Sequence, residues 1–153
     1  MSRFRPRMRA VAALGLVALL LAGAAGCGDP EAEYCTALKG DQETFAEMQA
    51  DTTGITLLQH RTMLHALADK APDDLTDEWQ TFLSALDSFA ATLAHAGVKP
   101  GDFVDGEPPT GLDAATRTQI AQAADVLSSD SVVEAASGIE QQAKDVCKLQ
   151  LGL

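Results

Sequence analysis

Three cysteines, Cys27, Cys35 and Cys147, are the most chemically capable side chains in the sequence, since a thiol can carry a lipid, a metal or a bond to another thiol. Their spacing contains no C-x-x-C element, which disfavours zinc. His60 and His65 are five apart, about 140° around a helix, so they do not share a face as paired metal ligands would. His60 and Met63 do share one, a faint copper pattern that a surface histidine beside a core methionine explains better. Carboxylates gather at Asp73, Asp74, Asp77 and Glu78, where a helix start is reason enough for them, and again at Asp102, Asp105, Glu107 and Asp113. The second group has oxygens for calcium but lacks the D-x-[DN]-x-[DN]-G order of an EF-hand loop; Asp102, Asp105 and Glu107 are candidate metal ligands set against a solvated linker. G-x-S-x-G, H-E-x-x-H, P-loop and G-x-G-x-x-G patterns are all missing, so no catalytic residues, enzyme activity or cofactor are expected.

Those thiols must be placed in a compartment before they can be paired. Arg3, Arg5, Arg7 and Arg9 form a basic leader, and residues 10–25 are uncharged and end in small side chains. As a helix that stretch reaches roughly 24 Å against a hydrocarbon core of ~30 Å, so it reads as a secretory signal over residues 1–26 rather than a permanent span. Ala24-Ala25-Gly26-Cys27 resembles a bacterial lipobox, in which the cysteine receives a diacylglyceryl group and becomes the first residue of the mature protein. Cleavage after Ala22-Gly23-Ala24 to give a freely secreted protein is the alternative. With Cys27 lipidated, Cys35 and Cys147 remain as an even pair in an oxidising setting and are expected to bond. A Cys27–Cys35 bridge with Cys147 free is the rival, and it requires Cys27 to escape lipidation.

Charge narrows the partners. All 22 acidic residues but only seven of the 11 Lys and Arg lie from Cys27 onward, so the exported body is more acidic than the whole chain's formal charge of −11. Nucleic acid and direct adhesion to anionic lipid head groups are disfavoured, because no basic stripe exists to replace counterions. A basic protein partner or an envelope component is compatible, although a solvated acidic surface also serves solubility alone.

Hydrophobic spacing is helical nearly throughout, and no stretch alternates with the period of a strand. Leu75, Trp79, Phe82, Leu86, Phe89, Leu93 and Ala96 form one stripe, with Pro72, Asp73 and Asp74 suited to its start and Gly97 and Pro100 to its end. Tyr34, Leu38, Phe45 and Met48 mark a helix over 31–50 with a kink near Gly40, and Leu57, Leu58, Leu64, Leu67 and Ala68 mark the next. Ala115, Ile120, Ala123, Val126 and Leu127 lead to a break, where Ser131-Val132-Val133-Glu134 has the order of a capping box. Val132, Ala136, Ile139, Ala143 and Val146 mark the last helix, whose Gly138 fits a close approach to a neighbour. The expectation is an all-α, antiparallel bundle of four to five helices over 35–153, Ala-rich and thinly packed, with one disulfide joining the first and last helices. Residues 27–34 are its tether. Residues 97–112, with four Gly and three Pro, form a long loop in which Phe103 and Val104 tuck onto the bundle.

The Tyr34-Cys35 pair, the run from Ala71 to Trp79 and Val146-Cys147 resemble the pattern of small actinobacterial cell-envelope lipoproteins with helical bodies. The resemblance implies shape and location, the outer face of the cytoplasmic membrane, and carries over no activity. The expected function is a non-enzymatic binding or interaction module at the envelope, anchored to the membrane through Cys27; the alternative is a metal- or small-ligand-binding protein using the acidic 97–113 loop. About seven residues from Gly28 to Tyr34, at roughly 3.4 Å each, hold the body within ~25 Å of the bilayer. Mass spectrometry of the native N-terminal peptide is expected to find acylated Cys27 at its start; an unmodified start at residue 25 or 26 refutes the anchor.

Overall fold

The computed structural model describes residues 29–104 and 106–153; Cys27, the expected signal over 1–26 and Asp105 lie outside the described residues. Among these the regular structure is helical: α1 (Pro30–Gly40), α2 (Gln42–Ala50), α3 (Ile55–Gln59), α4 (Arg61–Ala68), α5 (Thr76–His95), α6 (Ala114–Leu127) and α7 (Asp130–Gln142). A wide π-helical turn, Ala143–Cys147, follows α7, and short 3-10 turns sit at Asp73–Leu75 and Pro100–Asp102. No described helix is long and apolar enough to cross a membrane.

Local chemistry explains most boundaries. Asp29 caps α1 by accepting from the Glu31 amide at 3.1 Å, with Pro30 in the first turn, where a proline's missing N–H costs nothing. The expected kink near Gly40 is a full interruption: Asp41 leaves helical geometry and its amide turns back to the Leu38 carbonyl. The second predicted helix is likewise split, at His60. α5 ends with Gly97 at φ +68°, its amide bonded to Ala94 and that of Val98 to Leu93, so the last carbonyls are met and Val98 is buried near Leu93.

α5 is the element the others share. Leu75, Trp79, Phe82, Leu86, Phe89 and Leu93 are all buried, and α5 packs against α4, α6 and α7. Full burial of each large side chain stabilises by about 1.5–3 kcal/mol relative to exposure. At Gly138 a Cβ would lie 3.1 Å from Glu78 Cγ, so α7 meets α5 where the sequence lacks a side chain, as expected. The α6–α7 break also falls where it is expected, but the capping box does not form. Ser129 is the N-cap, without a side-chain cap bond, and Ser131 Oγ faces Ser129 Oγ at 3.3 Å. A backbone bond from Val133 to the Ser129 carbonyl had already started the helix two residues earlier than the motif places it.

Cys35 and Cys147 are bonded, with Cα atoms 5.1 Å apart, so α1 is fastened to the turn that ends α7. Beside this bond Trp79 Nε1 donates to the Tyr34 hydroxyl at 3.1 Å, both residues being buried. Burial pushes the Tyr34 hydroxyl up to about 12, partly offset by the Trp79 bond. Beyond Cys147 the chain turns at Lys148, φ +60°, and buries Leu149 and Leu151. Glu140 accepts from the Leu151 and Gly152 amides at 3.0 and 2.7 Å. Sequence spacing carried no sign of this return, because Leu149 and Leu151, two apart in a six-residue tail, have no helical period.

Replacing both Cys35 and Cys147 by Ser is expected to remove roughly 4–5 kcal/mol in the chain-entropy model, read as the shift in denaturant midpoint against the oxidised protein. Tyr34 contributes stability that is complete below pH ~10 and is lost between about 10 and 12, because the unfolded chain releases that proton first. Tyr34→Phe is expected to remove this part of the alkaline loss while costing about 1–3 kcal/mol at neutral pH for the orphaned Trp79 donor, both measurable by urea titration across pH.

Candidate ligand cleft

Residues 97–112 do more than connect α5 to α6: they roof a hollow. Val104 and Glu107 pair in both directions, N–O 3.1 and 2.9 Å, around a turn in which Gly106 takes φ +81°. Phe103 packs inward on the core, as expected, but Val104 is 70% exposed and does not tuck. The pairing with Glu107 holds residue 104 in an extended conformation whose side chain faces away from the bundle.

Beneath the loop lies a half-enclosed cleft of about 590 Å³ between α3, α5 and α6. Leu57, Leu58, Phe89, Ile120, Ala124 and Leu127 form its walls, with Phe103 and Pro108 contributed by the loop. Its volume falls within the roughly 300–1,000 Å³ of small-molecule sites. The space is there because α6 presents alanine at 121 and 124 where larger side chains would close the gap to the loop. Polar side chains stand at the rim: Thr52, Thr53, Glu107, Arg117 and Ser128.

Carboxylates brace that rim. Asp51 accepts from the Thr53 and Thr56 amides at 2.8 and 2.7 Å and from the Thr53 hydroxyl, which fixes the turn into α3 around Gly54, φ +72°. The Thr53 hydroxyl, with the Thr56 and Thr53 amides, holds the Asp51 carboxyl well below the usual carboxylate range. Asp113 caps α6, accepting from Thr116 N at 2.9 Å and Thr116 Oγ1 at 2.7 Å, and these bonds lower its titration likewise. Asp102 accepts from the Lys99 amide at 2.8 Å.

Of the candidate metal ligands, Asp102 is therefore engaged in closing its own turn and Glu107 is exposed at the cleft rim, while Asp105 lies outside the described residues. Among the described residues no three His, Cys, Asp or Glu side chains come together as a metal site would need. Two of the histidines face carboxylates: His60 Nε2 lies 3.9 Å from Glu47 and His65 Nε2 lies 3.0 Å from Asp87, which also meets Arg61 Nε at 3.2 Å. Asp73, Asp74 and Asp77 are exposed at the start of α5, whereas Glu78 turns toward α7 with Oε2 buried and unpartnered.

Spacing alone did not reveal the cleft, although the combination of an Ala-rich helix with a long Gly/Pro loop was its one available sign. No family model, curated protein or solved structure matches the chain.

Asp51→Ala is expected to cost about 1 kcal/mol, the usual cost of losing a capping side chain, and to loosen the cleft rim. Because the folded carboxyl titrates below the unfolded one, this stability is present above pH ~4 and falls away as pH drops further. The gap in melting midpoint between the native protein and Asp51→Ala should therefore narrow in acid.

Proposed function

We propose that this protein is a lipid-anchored, extracytoplasmic binding module of the cell envelope, without enzymatic activity, whose binding site is the cleft beneath the 97–112 loop. The observation that carries this is a half-enclosed, apolar-walled hollow of about 590 Å³ roofed by a loop whose backbone is braced at Asp102, Asp113 and the Val104–Glu107 pair. The Cys35–Cys147 bond supports an oxidising compartment, and it leaves Cys27 without a thiol partner from that pair, as the lipobox resemblance requires. His65 bonds Asp87, and Asp51 and Asp113 hold backbone amides, so each of these three groups has a structural job.

In this proposal the helices form an antiparallel bundle of five rods, with α1–α2 and α3–α4 each acting as one bent rod, α5 as the shared mast, and α6 and α7 as the last two. The short turn from α4 into α5 and the fastening of α1 to the end of α7 support that arrangement. The resemblance to small actinobacterial lipoproteins supports the same location, with the membrane as first partner through Cys27 and an envelope component as the second.

Detergent phase partition tests the anchor: the native protein is expected in the detergent phase and Cys27→Ser in the aqueous phase. Thermal melting tests the site. An organic-solvent extract of the envelope is expected to raise the native melting midpoint and to leave Ala124→Trp, whose indole fills the cleft, unmoved. A rise with calcium, zinc or copper but not with the extract would favour the metal-binding alternative instead.

A further inference from the structure

The cleft has an apolar body and a polar mouth, and the mouth carries a single kind of cation. Leu57, Leu58, Phe89, Ile120, Ala124 and Leu127 offer a ligand no side-chain donor or acceptor, which favours apolar surface in its buried part, gaining about 25 cal/mol for each Å² removed from water. At the rim Arg117 is exposed and forms no ion pair among the described residues, while the other described arginine, Arg61, is held by Asp87. A guanidinium is well matched to a carboxylate or phosphate, which it can bind through two parallel N–H bonds.

We infer that the cleft binds an amphiphile with an alkyl chain and an anionic head group, the chain lying between α5 and α6 and the head group meeting Arg117. This rests on the proposed function and specifies its ligand. The acidic body repels anions at long range, but screening confines that field to roughly 8–10 Å, so hydrocarbon contact supplies the affinity and Arg117 selects the head group. Glu107, on the loop side of the same rim, opposes an anion there and biases the head group toward α6.

The test uses the full chain in detergent micelles with two photoactivatable probes, hexadecanoic acid and hexadecanol, each carrying a diazirine on the chain, and peptide mapping of the adducts. The acid probe is expected to label cleft residues of α3, α5, α6 and the loop saturably, in competition with unlabelled hexadecanoic acid. Arg117→Glu should weaken that labelling about fivefold, the size of one exposed ion pair, with the alcohol probe unaffected. Glu107→Gln should strengthen it. Both substitutions are at exposed positions, and recovery of the Cys35–Cys147 bond and of the melting midpoint verifies folding.

Equal labelling by acid and alcohol, or an Arg117→Glu variant that labels like the native protein, overturns the anionic head group while leaving the cleft a binding site. Labelling by neither probe overturns the proposed function as well. Hexadecyl phosphate as competitor distinguishes a phosphate from a carboxylate source. Cys27→Ser separates a free amphiphile from the protein's own lipid: unchanged labelling supports the inference, and labelling that arises only in that variant assigns the cleft to the anchor and overturns it.

Discussion

The bond between Cys35 and Cys147 joins residues 112 apart and places the start of the helical body against its end, with the Tyr34–Trp79 hydrogen bond buried beside it. Its effect is largely on the unfolded chain, which loses the freedom of a very long loop, while the native partners were already close enough for the bond to form. Single domains are stable by only about 5–15 kcal/mol, so a covalent constraint of roughly 4–5 kcal/mol is a large part of the net stability. The segment beyond Cys147 packs close to the same anchor. Leu149 and Leu151 are buried, and Glu140 receives the Leu151 and Gly152 amides, directly after the turn that the bond fastens to α1.

The cleft follows from the same economy of side-chain volume. Alanines favour α6 as a helix but do not fill the space between α5 and the loop. Elsewhere the core closes around Trp79, Phe82 and Leu86, and α7 comes near enough for Gly138 to meet Glu78. Under the loop, by contrast, Phe103 and Pro108 roof the hollow without filling it. Aspartates at 51, 102 and 113 then spend their charge on backbone amides that would otherwise lack partners, which stiffens the rim and takes these carboxylates out of the running as freely available ligands.

Much of this was legible beforehand, for identifiable reasons. The stripe from Leu75 to Leu93 repeats at the helical period over five turns, long enough for periodicity to be decisive, and each of its large members is buried. Gly97 was legible as a stop because only a left-handed residue satisfies the final carbonyls there. Short signals fared worse. Ser131 matched a capping box, yet the helix nucleated from Ser129, since a backbone carbonyl competes with any side-chain motif two residues away. Val104 read as a buried apolar residue, but its strand-like pairing with Glu107 turned it outward. His60, at the centre of a plausible helix, sits instead at the junction of two.

The sequence by itself determined that the chain is helical, where its longest helix and the long loop lie, and that two thiols were available to each other once Cys27 was set aside. These are local or combinatorial properties, set by period, by Gly and Pro, and by counting. Only the tertiary structure decided that the last residues return to the core, that Arg117 and Glu107 share a rim, and that alanines on α6 leave a usable space. Each of those depends on distances between segments far apart in the chain, and such distances are set by how whole helices pack rather than by any residue's neighbours in sequence.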